Sequence, residues 1–298
     1  MSILTTLSLT KKYGRKTAIR DINVQVDEGA FFGLIGPNGS GKSTFFNILM
    51  DFVRPTKGNA TIFDLDCQDS GKELKTQVGY VPAVPAFYDF MKVDKLLEYT
   101  KNFYGYVDLE YLDSLCERFQ INRNKKISAM GFSDKKKLAL ATALLHKPRI
   151  LLLDEPLAGL VPIIRRRFLD TIQELHESGV TVVYGSQELN EAGHLCDIVA
   201  LMNEGIIIET KEVADKGHAR GKVVELQVEG DISELVMSLG AERFMKRSDT
   251  VSFNYYSDMD RLIKSLAKYV VHDIRVTDVP LENDLMTYKD EEPTVWIF

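Results

Sequence analysis

The stretch Gly36-Pro37-Asn38-Gly39-Ser40-Gly41-Lys42-Ser43-Thr44 fits the pattern G-x-x-x-x-G-K-[ST] from Gly36 through Ser43. It follows the apolar run "AFFGLI" and leads into "FFNILM", the strand-then-helix context in which such a loop binds phosphate. Its glycines let the chain curl until successive N–H groups point at phosphate oxygens, and a helix starting near Lys42 adds the positive end of its dipole. Lys42 is then expected to reach the β- and γ-phosphates of a nucleotide. Ser43 offers a hydroxyl to Mg2+, with Thr44 on a phosphate beside it. Further along, in "RILLLDEP", four apolar residues deliver Asp154 and Glu155 to the end of a strand. There an acid bound through water to Mg2+ and a base for an attacking water are both useful. Alone, the acid pair also fits a helix cap or a solvated turn. Beside the phosphate loop, it predicts one site built from two adjacent strands.

The elements that must hold these residues are legible as runs. "ILTTLSL", "AIRDINVQV", "AFFGLIG", "ILLLD", "VTVVYG" and "IVALM" read as strands, several apolar throughout, as in a sheet covered on both faces. Helices alternate with them. In "PIIRRRFLDTIQELHESG", Ile164, Phe168, Ile172 and Leu175 share one face, Arg165 to Arg167 read as a solvated one, and Gly179 ends the helix. The alternation implies an α/β domain with a mostly parallel sheet. Past a polar stretch, "DKGHARGK", short strands and helices imply a small α+β domain. The predicted domains are 1–217 and 218–298, and the second holds no chemical motif.

Composition narrows the classes. With 298 residues, 45% hydrophobic and 27% charged, the chain is long enough for two globular domains. A formal charge of −6 argues against a broad nucleic-acid-binding surface. Cys67, Cys116 and Cys196 make no paired framework, and the five histidines have no metal-ligand spacing. No leader pattern and no run of about 18 apolar residues is present, so a cytosolic chain that meets membrane only through a partner is expected.

With these motifs, the sequence resembles the nucleotide-binding subunits of ATP-binding-cassette transporters, particularly those serving exporters whose membrane part is a separate chain. The resemblance runs over about residues 3 to 212 and includes "LTKKYGRKTAIRDIN", "VGYVPAVPAFYDFMKV", "ATALLHKPRILLLDEP" and "ELNEAGHLCDIVALMNEGIII". It implies a P-loop NTPase cassette with a mostly parallel sheet and a helical subdomain, binding ATP and Mg2+, with Tyr13 stacked on adenine. It also implies that two cassettes sandwich two ATP molecules, each held by the phosphate loop of one and the L-S-G-G-Q signature of the other. A transmembrane subunit is the further partner implied, with the chain peripheral on the cytoplasmic face of the cell membrane.

Four places depart from the family pattern. Ala83 stands where a glutamine or glutamate follows "GYVP". "MGFSD" puts Gly131, Ser133 and Asp134 in the serine, second glycine and glutamine places of the signature. Val161 replaces an aspartate before Pro162, and Gln187 replaces a histidine that contacts the γ-phosphate and the attacking water. Gln187 hydrogen-bonds but cannot become cationic. Ser133 is expected to cap the helix beginning "DKKK", with Lys135, Lys136 and Lys137 as a solvated face or an offset to Asp134.

ATP binding is therefore expected, with slow hydrolysis carried by Glu155 and Gln187. Ala83 and Gln187 weaken the chain's own site, while "MGFSD" and Val161 weaken the site it completes for a partner. Pairing with a different, better-equipped cassette is favoured over a homodimer, which remains open. Tyr88, Phe90 and Val93 are the candidate contacts to the membrane subunit. A hydrolysis-deficient, nucleotide-gated regulatory subunit is the alternative reading, and a cassette ATPase acting on ribosomes or DNA the weaker one.

Overall fold

The computed structural model describes residues 1–104, 108–213, 222–247 and 250–278. The chain divides into two compact units, Met1–Val213 and Ala214–Phe298. The domain boundary expected between residues 217 and 218 lies outside the described residues.

The first unit opens with β1 (Ser2–Tyr13), β2 (Lys16–Asp27), β3 (Phe31–Ile35), α1 (Lys42–Leu49), β4 (Lys57–Ile62) and β5 (Leu65–Asp66). It continues through α2 (Gly71–Leu74), β6 (Val78–Val81), α3 (Val93–Tyr104), α4 (Leu109–Arg118) and α5 (Phe132–Leu144). Then follow β7 (Ile150–Asp154), α6 (Pro162–Glu177), β8 (Thr181–Ser186), α7 (Leu189–Leu195), β9 (Ile198–Asn203) and β10 (Ile206–Glu212). The central sheet has six strands in the order β10-β9-β3-β8-β7-β6, parallel except for the β9–β10 hairpin.

Two cores explain the unbroken apolar strands. Leu151 and Leu153 of β7, Val182 and Tyr184 of β8, and Phe31 of β3 face a core shared with α3, α4, α5 and α6. Their alternates Ile150, Leu152, Val183 and Phe32 face a second core with α1, β1, β2 and β4. The first two predicted strands lie outside the parallel sheet, in an antiparallel one of order β2-β1-β4-β5 that covers this second face. Such pairing needs only a tight turn, here at Gly14 with φ 58°. On α6, Ile164, Phe168 and Ile172 are buried and Leu175 half-buried, the face its periodicity predicts.

Strand exits converge on the site. Phe31 to Ile35 of β3 run beside Val182 to Ser186 of β8, and Ile150 to Asp154 of β7 beside Thr181 to Gly185. The two motif-bearing strands are therefore not adjacent, contrary to the expectation from sequence: β8 lies between them. It supplies the central rail to which both motifs are hydrogen-bonded.

The second unit holds β11 (Lys222–Val228), α8 (Ser233–Ser238), β12 (Glu242–Arg247), β13 (Thr250–Tyr255), α9 (Met259–Leu266) and β14 (Val271–Asp278). The strand order β12-β13-β11-β14, all antiparallel, is the split β-α-β arrangement of ferredoxin-like domains. Val224, Leu226, Phe253, Tyr255, Leu262 and Val236 form its own core. Among the described residues of the chain, no helix is long and apolar enough to cross a membrane.

Candidate functional site

The glycine-rich loop leaves β3 at Gly36 and enters α1 at Lys42. A side chain on Gly36 would run into the Met202 carbonyl of β9, so the loop presses its backbone against the sheet. Gly41 caps α1 with φ 113°, and a Cβ there would lie 2.7 Å from the Ala18 carbonyl of β2. Only glycine tolerates both demands. Behind the loop, Phe45, Phe46 and Ile48 bury α1 and fix its N-terminal end.

Pro37 and Gly36 are half-buried, Asn38 and Gly39 exposed, and the Ser40 hydroxyl is buried with no hydrogen-bond partner among the described residues. Lys42 is 5% exposed. Its ammonium donates to the Gly36 carbonyl at 2.6 Å and the Pro37 carbonyl at 3.2 Å, and stands 3.0 Å from Glu155 Oε1. Ser43 and Thr44 are exposed and half-buried in the first turn of α1.

Asp154 ends β7 and is 1% exposed. Burial pushes its carboxyl pKa up. The neighbouring Ser43 hydroxyl and the charges of Lys42 and Lys136 act in the opposite direction. Its Oδ1 has no hydrogen-bond partner among the described residues. A buried carboxylate oxygen left over beside a serine hydroxyl is the hard-oxygen pair that fits magnesium. The lone Ser40 hydroxyl and the inward Lys42 ammonium likewise fit a polyanion in the cradle.

Glu155 has φ 45°, a left-handed conformation rarely taken by a side-chain-bearing residue. The turn is held by its N–H donating to the Gly185 carbonyl of β8 at 2.9 Å. One residue on, the Ser186 carbonyl accepts from the Gly36 N–H at 3.1 Å. Gln187 follows directly, with an exposed side chain. The phosphate loop, the acid pair and Gln187 thus meet at one end of the sheet. Tyr13 is half exposed, with Lys11 over its ring at 5.1 Å. It begins the hairpin whose Ala18 touches Gly41.

Several expectations need correction. Gly131 caps α5, without a side-chain bond, and Ser133 lies inside the first turn. The reason is that Phe132 already has helical geometry, two residues ahead of the expected start. The lysines of "DKKK" are not one solvated face. Lys137 pairs with Asp134 at 2.7 Å, Lys135 with Asp89 at 2.9 Å, and Lys136 is fully buried. Lys125 adds a second ion pair to Asp134 at 2.8 Å, and the two lysines hold that carboxyl below its usual range. Val93 belongs to the core below α3, whereas Tyr88 and Phe90 are exposed.

Sequence reading missed Lys136, whose ammonium donates to the Pro82 and Ala83 carbonyls, each at 2.8 Å. Burial pushes its pKa down to about 8, with Asp154 and Glu155 opposing the shift. It also missed Phe132, whose ring lies on the backbone of Gly159 in the loop after Glu155, and the exposed Tyr99 and Phe103 of α3, which continue the aromatic row from Tyr88 and Phe90. The four-residue spacing of Tyr99 and Phe103 was the available signal.

A glycine-rich loop between β3 and α1, a buried acid at the end of β7 and a parallel sheet joining them define a P-loop nucleotide-binding domain. A family model described as "ABC transporter" matches residues 19–158. The linearmycin resistance ATP-binding protein LnrL of Bacillus subtilis (strain 168) is 31% identical over 75% of this chain and 74% of its own length. The chain belongs to the ATP-binding subunits of ABC transporters.

The bacitracin transport ATP-binding protein BcrA of Enterococcus faecalis is 28% identical over 79% of this chain and 78% of its own. Among solved structures, an ATP-binding subunit of an ABC transporter superposes with a TM-score of 0.66 at 24% identity, covering 71% of this chain and 90% of that one. A dimeric post-hydrolysis state of the cassette MJ0796, bound to ADP and Pi, gives 0.65 at 22% identity over 71% and 99%. These structures share the fold of the first unit.

Proposed function

We propose that this chain binds Mg-ATP in the loop Gly36–Thr44 and passes the closure of a cassette pair, with slow hydrolysis, to a separate transmembrane subunit of an exporter. The observation that carries this is the meeting of Lys42, the Ser43–Asp154 pair and Glu155 at one end of the sheet. Lys42 exchanges the Gly36 and Pro37 carbonyls for phosphate oxygens, and the loop N–H groups surround them. Magnesium held by Ser43 and Asp154 would neutralise phosphate charge. Freed from Lys42, Glu155 accepts a proton from the attacking water, and Tyr13 stacks on the adenine. Ala83 has no side-chain oxygen to orient that water, and Gln187 brings no positive charge to the γ-phosphate. These two losses support slow turnover in this site.

Export is supported by the names of relatives, one for bacitracin transport and one for linearmycin resistance. Residues 1–217 are the cassette in this reading and 218–298 an accessory domain. The exposed aromatics Tyr88 and Phe90 face the membrane subunit, which keeps the chain at the cytoplasmic face of the membrane.

The nucleotide-gated regulatory reading has one observation in its favour. Phe132 fills part of the surface that would close on a partner's nucleotide, and Asp134 beside it is already held by two lysines. The test is binding and turnover of ATP by the purified chain and its complex. Lys42→Ala is expected to weaken ATP binding at least about tenfold, the worth of one charge-assisted contact. Unchanged binding and turnover in that variant would overturn the assignment. Turnover in the complex that Glu155→Gln leaves unaltered would favour the regulatory reading.

A further inference from the structure

Lys136 is fully buried in α5, and among the described residues its hydrogen bonds go to carbonyls alone. An ammonium has three N–H donors. They meet the Pro82 carbonyl at 2.8 Å, the Ala83 carbonyl at 2.8 Å and, more loosely, the Asp154 carbonyl at 3.5 Å. These acceptors belong to two other elements: the chain leaving β6, and the end of β7 that carries the acid pair. The Phe132 ring lies 5.8 Å from the same ammonium.

If packing were all that this position required, Leu or Met would fill it without the desolvation that a buried cation suffers. An ammonium adds a fixed distance between three chain segments. The acceptors at residues 82 and 83 open the segment that runs to the exposed Tyr88 and Phe90. Lys136 itself sits two residues past the stretch 130–134, whose residues take the signature's place.

We propose that Lys136 is a positioning residue that ties the start of α5 to the chain leaving β6 and to Asp154, so that a displacement of residues 83–91 reaches the acid pair and the 130–134 stretch together. Its effect on turnover rests on the nucleotide site proposed above. The tether itself does not, and the experiment separates the two.

Amide hydrogen exchange of the nucleotide-free protein reads the tether directly. Lys136→Met is expected to speed exchange between Ala83 and Met91 about tenfold, the worth of one lost charge-assisted hydrogen bond, while β1 and β2 keep wild-type rates. Lys136→Arg, whose guanidinium still serves two carbonyls, restores the slow exchange. With ATP, Lys136→Met keeps its affinity within about twofold while turnover falls about tenfold or more, the pattern of a displaced reacting group. Wild-type exchange between Ala83 and Met91 in Lys136→Met overturns the tether. If that variant does not fold, Lys136→Gln, which keeps N–H donors without the charge, is compared with Lys136→Arg, and equal exchange in the two overturns it. Absence of ATP binding by the wild-type chain would instead overturn the proposed function, with exchange still deciding the role of Lys136.

Discussion

Lys42 and Glu155 stand 3.0 Å apart, both largely shielded from water. A nucleotide that draws the ammonium onto its phosphates must break this contact, so the proposed base competes with the ligand for one lysine. Glu155→Gln removes the competitor and a negative charge that repels the γ-phosphate. We expect that variant to bind ATP threefold to about tenfold more tightly while turnover falls about 10²-fold, read by equilibrium titration and phosphate release. A second residue-scale prediction concerns His146, stacked on Tyr104 with ring centroids 4.0 Å apart. Burial pushes its pKa from 6.5 to about 4. Below pH 6.5 the unfolded chain binds a proton that the folded one refuses, so stability falls with pH until about 4 and is unaffected by this group above 6.5. The thermal midpoint of His146→Phe, which keeps an apolar ring on Tyr104, should fall less than wild type over that window. At this scale, the phosphate loop and acid pair were legible because their chemistry sits in contiguous strings. Lys136 was not, because a run of lysines reads as solvated surface and its carbonyl partners come from segments distant in sequence.

Elements bring together what the sequence separates. β8 carries the carbonyls of Gly185 and Ser186 that hold both motif turns, although its own string, "VTVVYG", announces only a buried strand. Parallel strands were readable as unbroken apolar runs. The short β6 and the charged β12 were not, since neither four residues of "VGYV" nor "ERFMKR" carries a usable period. The segment before α3 shows why exposure matters for the proposed membrane contact. Phe90 is 82% and Phe103 65% exposed, in one row with Tyr88 and Tyr99, whereas Val93 at the start of α3 is fully buried. Exchanging Tyr88 and Phe90 for Ser should leave the thermal midpoint nearly unchanged, as exposed substitutions shift stability by about 0.5 kcal/mol or less. Recovery of the membrane subunit in detergent pull-downs should fall at least about tenfold. Val93→Ala is expected to do the reverse, lowering stability by about 1–3 kcal/mol with the contact kept.

For the whole molecule, the distribution of changes bears on what the chain pairs with. In the proposed nucleotide site, the loop, Lys42, Ser43, Asp154 and Glu155 are all present, and the departures from the family pattern are Ala83 and Gln187. On the surface offered to a partner, Phe132 covers Gly159, Asp134 is neutralised by Lys125 and Lys137, and Val161 and Ile163 are exposed apolar residues. Two copies related by a twofold axis would carry both sets of losses in both sites. A different cassette with intact signature and aspartate would instead close properly over this chain's ATP, leaving only the second site with a weakened lid. The expected outcome is that the purified chain alone hydrolyses ATP slowly and does not speed up with its own concentration, because self-pairing assembles no complete site. Addition of the second cassette should raise turnover at least about tenfold, as one restored electrostatic element is commonly worth more than that. Lys42→Ala in this chain should then remove most of the gain. Full transport with this chain as the sole ATPase subunit would show that the altered surface closes on itself, and asymmetric pairing would have to be abandoned.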